Sequence, residues 1–92
     1  MALLSESEVE GRLARLDGWE RAGDAIEKSF KRGDFVGAVE FVSTLVAPAE
    51  AMNHHPDVSI SWDTVTVSVS THSEGGLTAG DFELAAKIDA LA

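Results

Sequence analysis

The 92-residue chain contains no cysteine and no tyrosine, and its seven lysine and arginine residues face sixteen aspartates and glutamates. Without cysteine there is no disulfide, no thiolate nucleophile and no cysteine-ligated metal. The net charge of -9 at pH 7 repels phosphate backbones and anionic lipid surfaces. The composition therefore argues against disulfide-stapled folds and against nucleic acid as a direct partner.

Long hydrophobic runs are also missing. No stretch approaches the roughly 20 apolar residues of a membrane helix, and the first eight residues, MALLSESE, lack the basic start of a secretory leader. Apolar residues make up 45% and charged residues 25%, as in an ordinary globular domain. A chain of this length has room for one core, so residues 1–92 are expected to form a single domain. We expect that domain to be soluble and cytoplasmic, with no membrane partner.

Three helices are predicted from apolar residues spaced three and four apart and from the signals at their starts. The capping residues are Ser5, Asp34 and Thr78, and the first and last have an acidic residue three positions later. Pro48 falls inside the long middle helix, where it removes an amide donor. We therefore expect the middle helix to bend just before Glu50.

Alternating apolar and polar residues predict two β-hairpins. The first joins residues 19–22 and 25–31 across Gly23-Asp24, and the second joins residues 57–62 and 65–72 across Asp63-Thr64. Trp62 shares a face with Val58 and Ile60, so we expect it in the core or in a subunit interface. The order α-β-β-α-β-β-α predicts an α+β fold: a four-stranded antiparallel sheet with helices packed on one face. The other face, with Ser70 and His72, is open to a ligand or another subunit.

All three histidines fall in one spaced pattern. His54 and His55 end the middle helix, and His72 follows on the last strand. Imidazole both gives and takes a proton near neutral pH, so the pattern indicates a proton-transfer site. Glu50 lies four residues before His54, and on a continuing helix the two share a face. We expect Glu50 to orient His54, and Asp81 to orient His72.

The chain resembles the pterin-4a-carbinolamine dehydratases, also described as dimerisation cofactors of a hepatocyte transcription factor. The resemblance is carried by Glu50, His54, His55, Pro56, Trp62, His72 and Asp81. It implies loss of water from a 4a-hydroxytetrahydropterin to give the quinonoid dihydropterin in tetrahydrobiopterin recycling, without a metal or an organic cofactor. It also implies a pterin as the small-molecule partner and assembly into a homodimer or homotetramer.

The resemblance also implies which side chains act. The implied catalytic residues are His54, His55, His72 and Asp81. The implied substrate-binding residues are Glu50, Asn53, Ser70 and Thr71. His54 is expected to be the acid and His72 its proton-transfer partner, while His55 mainly positions the pterin. One departure is Val58, where animal members carry a tryptophan near the pterin, so we expect weaker substrate affinity.

Other functions stay open at this stage. Family members act as coactivators by assembling with a transcription factor, which makes a protein-binding module the main alternative. A diverged pterin role near molybdopterin metabolism is another. A catalytic zinc could be held by Glu50, His54 and His72. The adjacency of His54 and His55 and the lack of cysteine argue against the zinc site.

Overall fold

The computed structural model describes residues 2–92 and contains four α-helices and four strands. They are α1 (Glu6–Leu13), β1 (Glu20–Ala22), β2 (Ala25–Lys31), α2 (Phe35–Thr44), α3 (Val46–Met52), β3 (Asp57–Ser61), β4 (Thr64–Val69) and α4 (Ala79–Leu91). A 3-10 turn, His72–Glu74, follows β4. The predicted α+β class and order of elements are confirmed, with the middle helix divided in two.

The four strands form one antiparallel sheet in the order β1-β2-β4-β3. Both predicted hairpins are present, and the central strands β2 and β4 come from different hairpins. On β4 every second residue is buried against the helices, namely Val65, Val67 and Val69. On β2 Ile26 and Phe30 are buried, and Lys28 between them is half-buried and bonds to Asp89 of α4. One face of the sheet therefore carries the core, as predicted.

Two helices begin with the same reciprocal capping motif. At α1 the Ser5 side chain accepts from the amide of Glu8, and the Glu8 carboxylate accepts from the amide of Ser5. At α4 Thr78 and Asp81 make the equivalent exchange. Both boxes were predicted from spacing and are confirmed. Asp34 caps α2 in a simpler way, by accepting from the amide of Gly37 at 2.7 Å.

The middle helix breaks at Leu45, between α2 and α3. Pro48 has no amide hydrogen to offer the carbonyl of Thr44, so the regular ladder stops there. The amide of Leu45 instead closes a tighter turn onto the carbonyl of Val42 at 3.0 Å. The predicted disruption is present, but it lies a few residues earlier than the expected position just before Glu50.

The combined stretch Phe35–Met52 is 18 residues long and apolar enough, by length and composition alone, to cross a membrane. The expectation that no stretch approaches this length was wrong. Core helices of soluble proteins pass the same test, and the buried side of this stretch packs into the core through Ala38, Phe41, Leu45 and Ala49. Its outer side leaves further apolar residues exposed, among them Val36, Val39 and Val46.

The edge strand β3 is more exposed than its alternating sequence predicts. Ser61 pairs with Thr64, so the hairpin turn is Trp62-Asp63 and not Asp63-Thr64. Trp62 has a positive φ of 56° in this turn and is 74% exposed. The prediction that places Trp62 in the core is therefore wrong, and the subunit-interface alternative remains.

Candidate active site

A shallow pocket of ≈ 210 Å³ lies where the end of α3 meets the segment after β4. It is lined by Asn53, His54, His55, Ser70, Thr71, His72 and Ser73. All three histidines border it, although they come from two segments far apart in the sequence. The pocket thus joins the two segments that carry the histidine pattern.

The end of α3 sets the directions of the first two histidines. Asn53 adopts a left-handed conformation, with φ 49° and ψ 46°, a geometry that asparagine tolerates better than most residues. The amides of Asn53 and His54 then bond back to the carbonyls of Glu50 and Ala49, as in a Schellman motif. The helix therefore stops before His54, and His54 no longer shares a helical face with Glu50.

His54 pairs with Asp81. Its Nε2 atom lies 2.6 Å from Oδ1 of Asp81, across a contact in which the histidine side chain is 14% exposed and the aspartate side chain is fully buried. The prediction that Asp81 orients His72 is wrong in this structure. Asp81 extends from the first turn of α4 beneath the pocket, and the ring that it meets there is the one that leaves α3.

The two remaining histidines have exposed carboxylate partners. Nε2 of His55 lies 2.5 Å from Oε2 of Glu50, so the carboxylate predicted to orient His54 orients its neighbour instead. Nε2 of His72 lies 3.6 Å from Oδ2 of Asp57, and both of these side chains are more than 70% exposed. Solvent screens such exposed pairs strongly, so they hold their rings less firmly than Asp81 holds His54.

Sequence reasoning did not single out Asp57 as a site residue. Its signal was the strand register: Asp57 pairs with Ser68, two residues before Ser70 and four before His72. Alternation places Ser68 and Ser70 on the same side of the strand. Either alignment of the hairpin places Asp57 near the pocket: the predicted turn Asp63-Thr64 pairs Asp57 with Ser70, and the observed turn pairs it with Ser68. The signal for Asp57 was therefore present in the predicted hairpin.

The four predicted substrate-binding residues differ in whether their side chains already have hydrogen-bond partners. Asn53 and Ser70 line the pocket, and neither side chain makes a hydrogen bond within residues 2–92. Thr71 also lines the pocket, but its hydroxyl bonds to Asp81 at 2.9 Å and to Thr78 at 2.8 Å. Its amide bonds to the carbonyl of Gly76. Asn53 and Ser70 are thus the free polar groups of this set, and Glu50 is turned to His55.

The zinc ligand set considered from the sequence is not assembled. Among the described residues, no three histidine, aspartate or glutamate side chains converge as a metal ion requires. Glu50 faces His55, and His54 faces Asp81. What the arrangement supplies is a set of imidazoles around one pocket, each next to a carboxylate, which suits proton donation and proton removal.

Comparison with known proteins gives the family of the chain. The family described as pterin 4 alpha carbinolamine dehydratase matches residues 2–91. A protein of Thermosynechococcus vestitus, provisionally named pterin-4-alpha-carbinolamine dehydratase, is 49% identical over 97% of this chain and 94% of its own. A relative from Roseiflexus castenholzii with the same provisional name is 51% identical over 96% of this chain and 95% of its own.

Solved structures give the same answer at the level of the fold. A crystal structure from Brucella melitensis, titled transcriptional coactivator/pterin dehydratase, has a TM-score of 0.92 at 40% identity and 97% coverage of both chains. A pterin dehydratase-like RuBisCO assembly factor of the α-carboxysome has a TM-score of 0.65 at 23% identity, covering 80% of this chain and 86% of its own, and shares the fold. The chain belongs to the pterin 4 alpha carbinolamine dehydratase family.

Proposed function

We propose that the protein is a hydro-lyase that removes water from a 4a-hydroxytetrahydropterin and releases the quinonoid dihydropterin, as a step of tetrahydrobiopterin recycling. The observation that carries the proposal is the convergence of His54 and His72 on one pocket, with a different carboxylate behind each ring. Family membership and the names of the relatives support the same reaction.

The reaction needs one proton delivered and one removed. The C4a–O bond breaks when an acid protonates the hydroxyl group, which leaves as water. A base takes the proton of a ring N–H, and that nitrogen's electrons form the new double bond to C4a. We assign His54 as the acid and His72 as the base. Proton transfers of this kind contribute on the order of 10²–10⁴-fold each.

Asp81 gives the acid assignment a better basis than the helical pairing with Glu50. A buried carboxylate 2.6 Å from Nε2 of His54 fixes the ring and stabilises its positive charge. The ring of the base needs to be held less firmly, and His72 is exposed beside Asp57. His55, held by Glu50, is proposed to position the pterin together with Asn53 and Ser70. The reaction as written passes through no metal or organic cofactor.

The test follows dehydration of a 4a-hydroxytetrahydropterin generated by a hydroxylase in the same cuvette. Wild type, His54→Ala and His72→Ala are compared side by side, with circular dichroism as the check on folding. We expect both variants to fold and to lose activity by about 10²-fold or more. If His72→Ala matches the wild-type rate, His72 is not the base and the assignment fails.

We also propose that the protein assembles with further copies of itself, as a homodimer or homotetramer. An apolar groove of ≈ 190 Å³ runs between the middle helices and β3, lined in part by Val42, Val46 and Val58. The outer edge of β3 has backbone groups free for pairing. Sedimentation should show an assembly that Val46→Glu weakens, whereas Leu3→Glu, at a comparably exposed apolar site, leaves it intact. A monomeric wild type would contradict this.

A protein-binding role is the second candidate, since the Brucella relative's title includes transcriptional coactivator and this chain also exposes apolar surface. That role predicts unchanged biological activity for His54→Ala and His72→Ala, opposite to the dehydratase. The pterin chemistry suits a soluble chain in the cytoplasm, where we place it. A diverged pterin role would show as turnover of another pterin by the same histidines.

A further inference from the structure

We propose that the face of the sheet turned away from the helices binds the substituent at C6 of the pterin, and that it selects a neutral substituent with a vicinal diol. Asp57 and Ser68 form this diol subsite. The inference rests on the proposed dehydratase function, because it uses the assignment of His72 as the base. It names the class of pterin that the site accepts.

A second open pocket, of ≈ 250 Å³, lies on this face of the sheet and is lined in part by Glu27, Asp57 and Ser68. Two observations join it to the histidine pocket. Ser68 lies two residues before Ser70 on the same side of β4, about 7 Å away along the strand. The carboxylate of Asp57 lies 3.6 Å from Nε2 of His72. The two pockets are therefore neighbours.

The chemistry of the proposed reaction directs the C6 substituent toward the second pocket. The base removes the hydrogen of N5, the ring nitrogen bonded to C4a, and N5 is bonded on its other side to C6. The substituent is therefore attached next to the atom that faces His72, and Asp57 lies beside that ring. Asp57 and Ser68 are also the first pair of residues where β3 meets β4. A substituent that leaves C6 along the sheet meets this pair first.

The two residues of the diol subsite have hydrogen-bonding groups to offer. They are register partners on neighbouring strands, so their Cβ atoms lie about 5 Å apart. Within residues 2–92 the Ser68 side chain makes no hydrogen bond, and Asp57 makes one side-chain contact, through Oδ2 with His72. A carboxylate accepts hydrogen bonds, whereas a hydroxyl group both donates and accepts. One hydroxyl of a diol can thus donate to Asp57 while the other bonds to Ser68.

The charges around the subsite disfavour an anionic substituent. Glu27 is the register partner of Ser68 on its other side, and Glu20 is the partner of Glu27. Together with Asp57 they place three carboxylates in one row across the four strands, with the Ser68 hydroxyl among them. A phosphate or carboxylate on the substituent would meet like charge there, in a chain with a net charge of -9. The preferred substituent is therefore hydroxylated and neutral.

The test measures, by calorimetry, the Kd of three dihydropterins that lack the 4a-hydroxyl group and cannot react. Their C6 substituents are 1,2-dihydroxypropyl, methyl and hydroxymethyl phosphate. Wild type should bind the diol compound about tenfold more tightly than the methyl compound, since the diol adds one or two hydrogen bonds. The phosphate compound should bind more weakly than the methyl compound at low salt, and the gap should narrow at high salt.

Ser68→Ala should lower the preference for the diol compound to about threefold or less and leave the Kd of the methyl compound unchanged. Loss of folding would weaken both compounds alike. Ser61→Ala is the matched control, on the same face at the far end of β3, and should keep the tenfold preference. The inference is overturned if wild type binds the diol and methyl compounds equally, if the phosphate compound binds most tightly, or if the two serine variants behave alike.

The dehydratase function and this inference fail in different ways. A wild type that prefers the diol compound but turns over no 4a-hydroxytetrahydropterin would end the dehydratase proposal and support the diol subsite. A wild type that dehydrates the methyl and dihydroxypropyl substrates with equal kcat/KM would do the reverse.

Discussion

The two capping boxes of this protein share a sequence pattern and differ in what they hold. At α1 the box of Ser5 and Glu8 lies on the surface, and both Glu8 oxygens are outside the core. At α4 the box of Thr78 and Asp81 is fully buried. The second oxygen of Asp81 reaches His54, whereas Glu8 reaches no residue of the pocket.

The difference shows that a helix cap becomes part of a site through its surroundings. A carboxylate has two oxygens, and a capping box occupies one of them. At α1 the other oxygen lies on the exposed surface. At α4 the box is buried in the core. The imidazole of His54, which follows the end of α3, lies 2.6 Å from the free oxygen of Asp81. The same local pattern then serves both helix termination and the positioning of a proton donor.

The largest effect is expected from Asp81→Asn, which alters the carboxylate of the buried capping box. The amide oxygen can still cap α4, but the amide nitrogen then faces His54 as a donor, which forces Nε2 to accept and moves the proton to Nδ1. We expect kcat to fall on the order of 10²–10⁴-fold, as when a histidine is held in the wrong tautomer. Unfolding should become easier by about 1–3 kcal/mol.

The matched control for Asp81→Asn is Glu8→Gln, the equivalent change in the other box. It should leave kcat at the wild-type value, because Glu8 has no contact with the pocket. Steady-state kinetics give kcat for the two variants, and urea unfolding gives their free energies of unfolding. Equal kinetic losses at the two positions would show that the α4 box has no special link to catalysis.

An intermediate effect is expected at the exposed histidine pair. Asp57→Asn removes the negative charge beside His72, but solvent already screens this pair, and exposed pairs are worth about 0.2–1 kcal/mol. A loss of about 1.4- to fivefold in kcat/KM follows from that range, with stability unchanged. Ser59→Ala, on the same strand, is the control. A loss as large as that of Asp81→Asn would remove the proposed distinction between a buried and an exposed pair.

The smallest effect concerns acid stability at the surface box. The hydrogen bond from the amide of Ser5 is the main cause that lowers the pKa of the Glu8 carboxyl, and its hydroxyl contact adds to this. A lowered pKa means stabilisation above the ordinary value of about 4.3, lost as the pH falls through the lowered value. The Tm difference between wild type and Glu8→Gln should therefore be steady above about pH 5 and shrink toward zero in more acidic solution. A Tm difference that is the same in acidic and in neutral solution would contradict this.

The sequence predicts best what is decided locally. The capping residues, the hairpins and the alternation of Val65, Val67 and Val69 depend on neighbouring residues, and all are confirmed. The turn at Trp62 was missed because a bulky residue with positive φ is uncommon, so composition favoured the next two residues. The proximity of Asp57 to His72 does not depend on that error, because the predicted turn pairs Asp57 with Ser70 and the observed turn pairs it with Ser68.

The sequence predicted which residues lie at the site more successfully than it predicted which of them pair with each other. The three histidines do meet at one pocket, which spacing and the family resemblance both indicated. Their partners could not be read from spacing, because Asn53 ends α3 one residue before His54 and turns that ring away from Glu50. The partner of His54 depends on how α4 packs under the pocket, which is a tertiary contact. The roles of these residues stay predictions until they are measured.

The most direct measurement is a titration of the ¹⁵N-labelled protein with a dihydropterin that lacks the 4a-hydroxyl group and cannot react. The account predicts that the ring nitrogens of His54 and His72 shift together, with one shared Kd, because both rings reach the same bicyclic molecule. Shifts at only one of the two histidines, or two different Kd values, would contradict it.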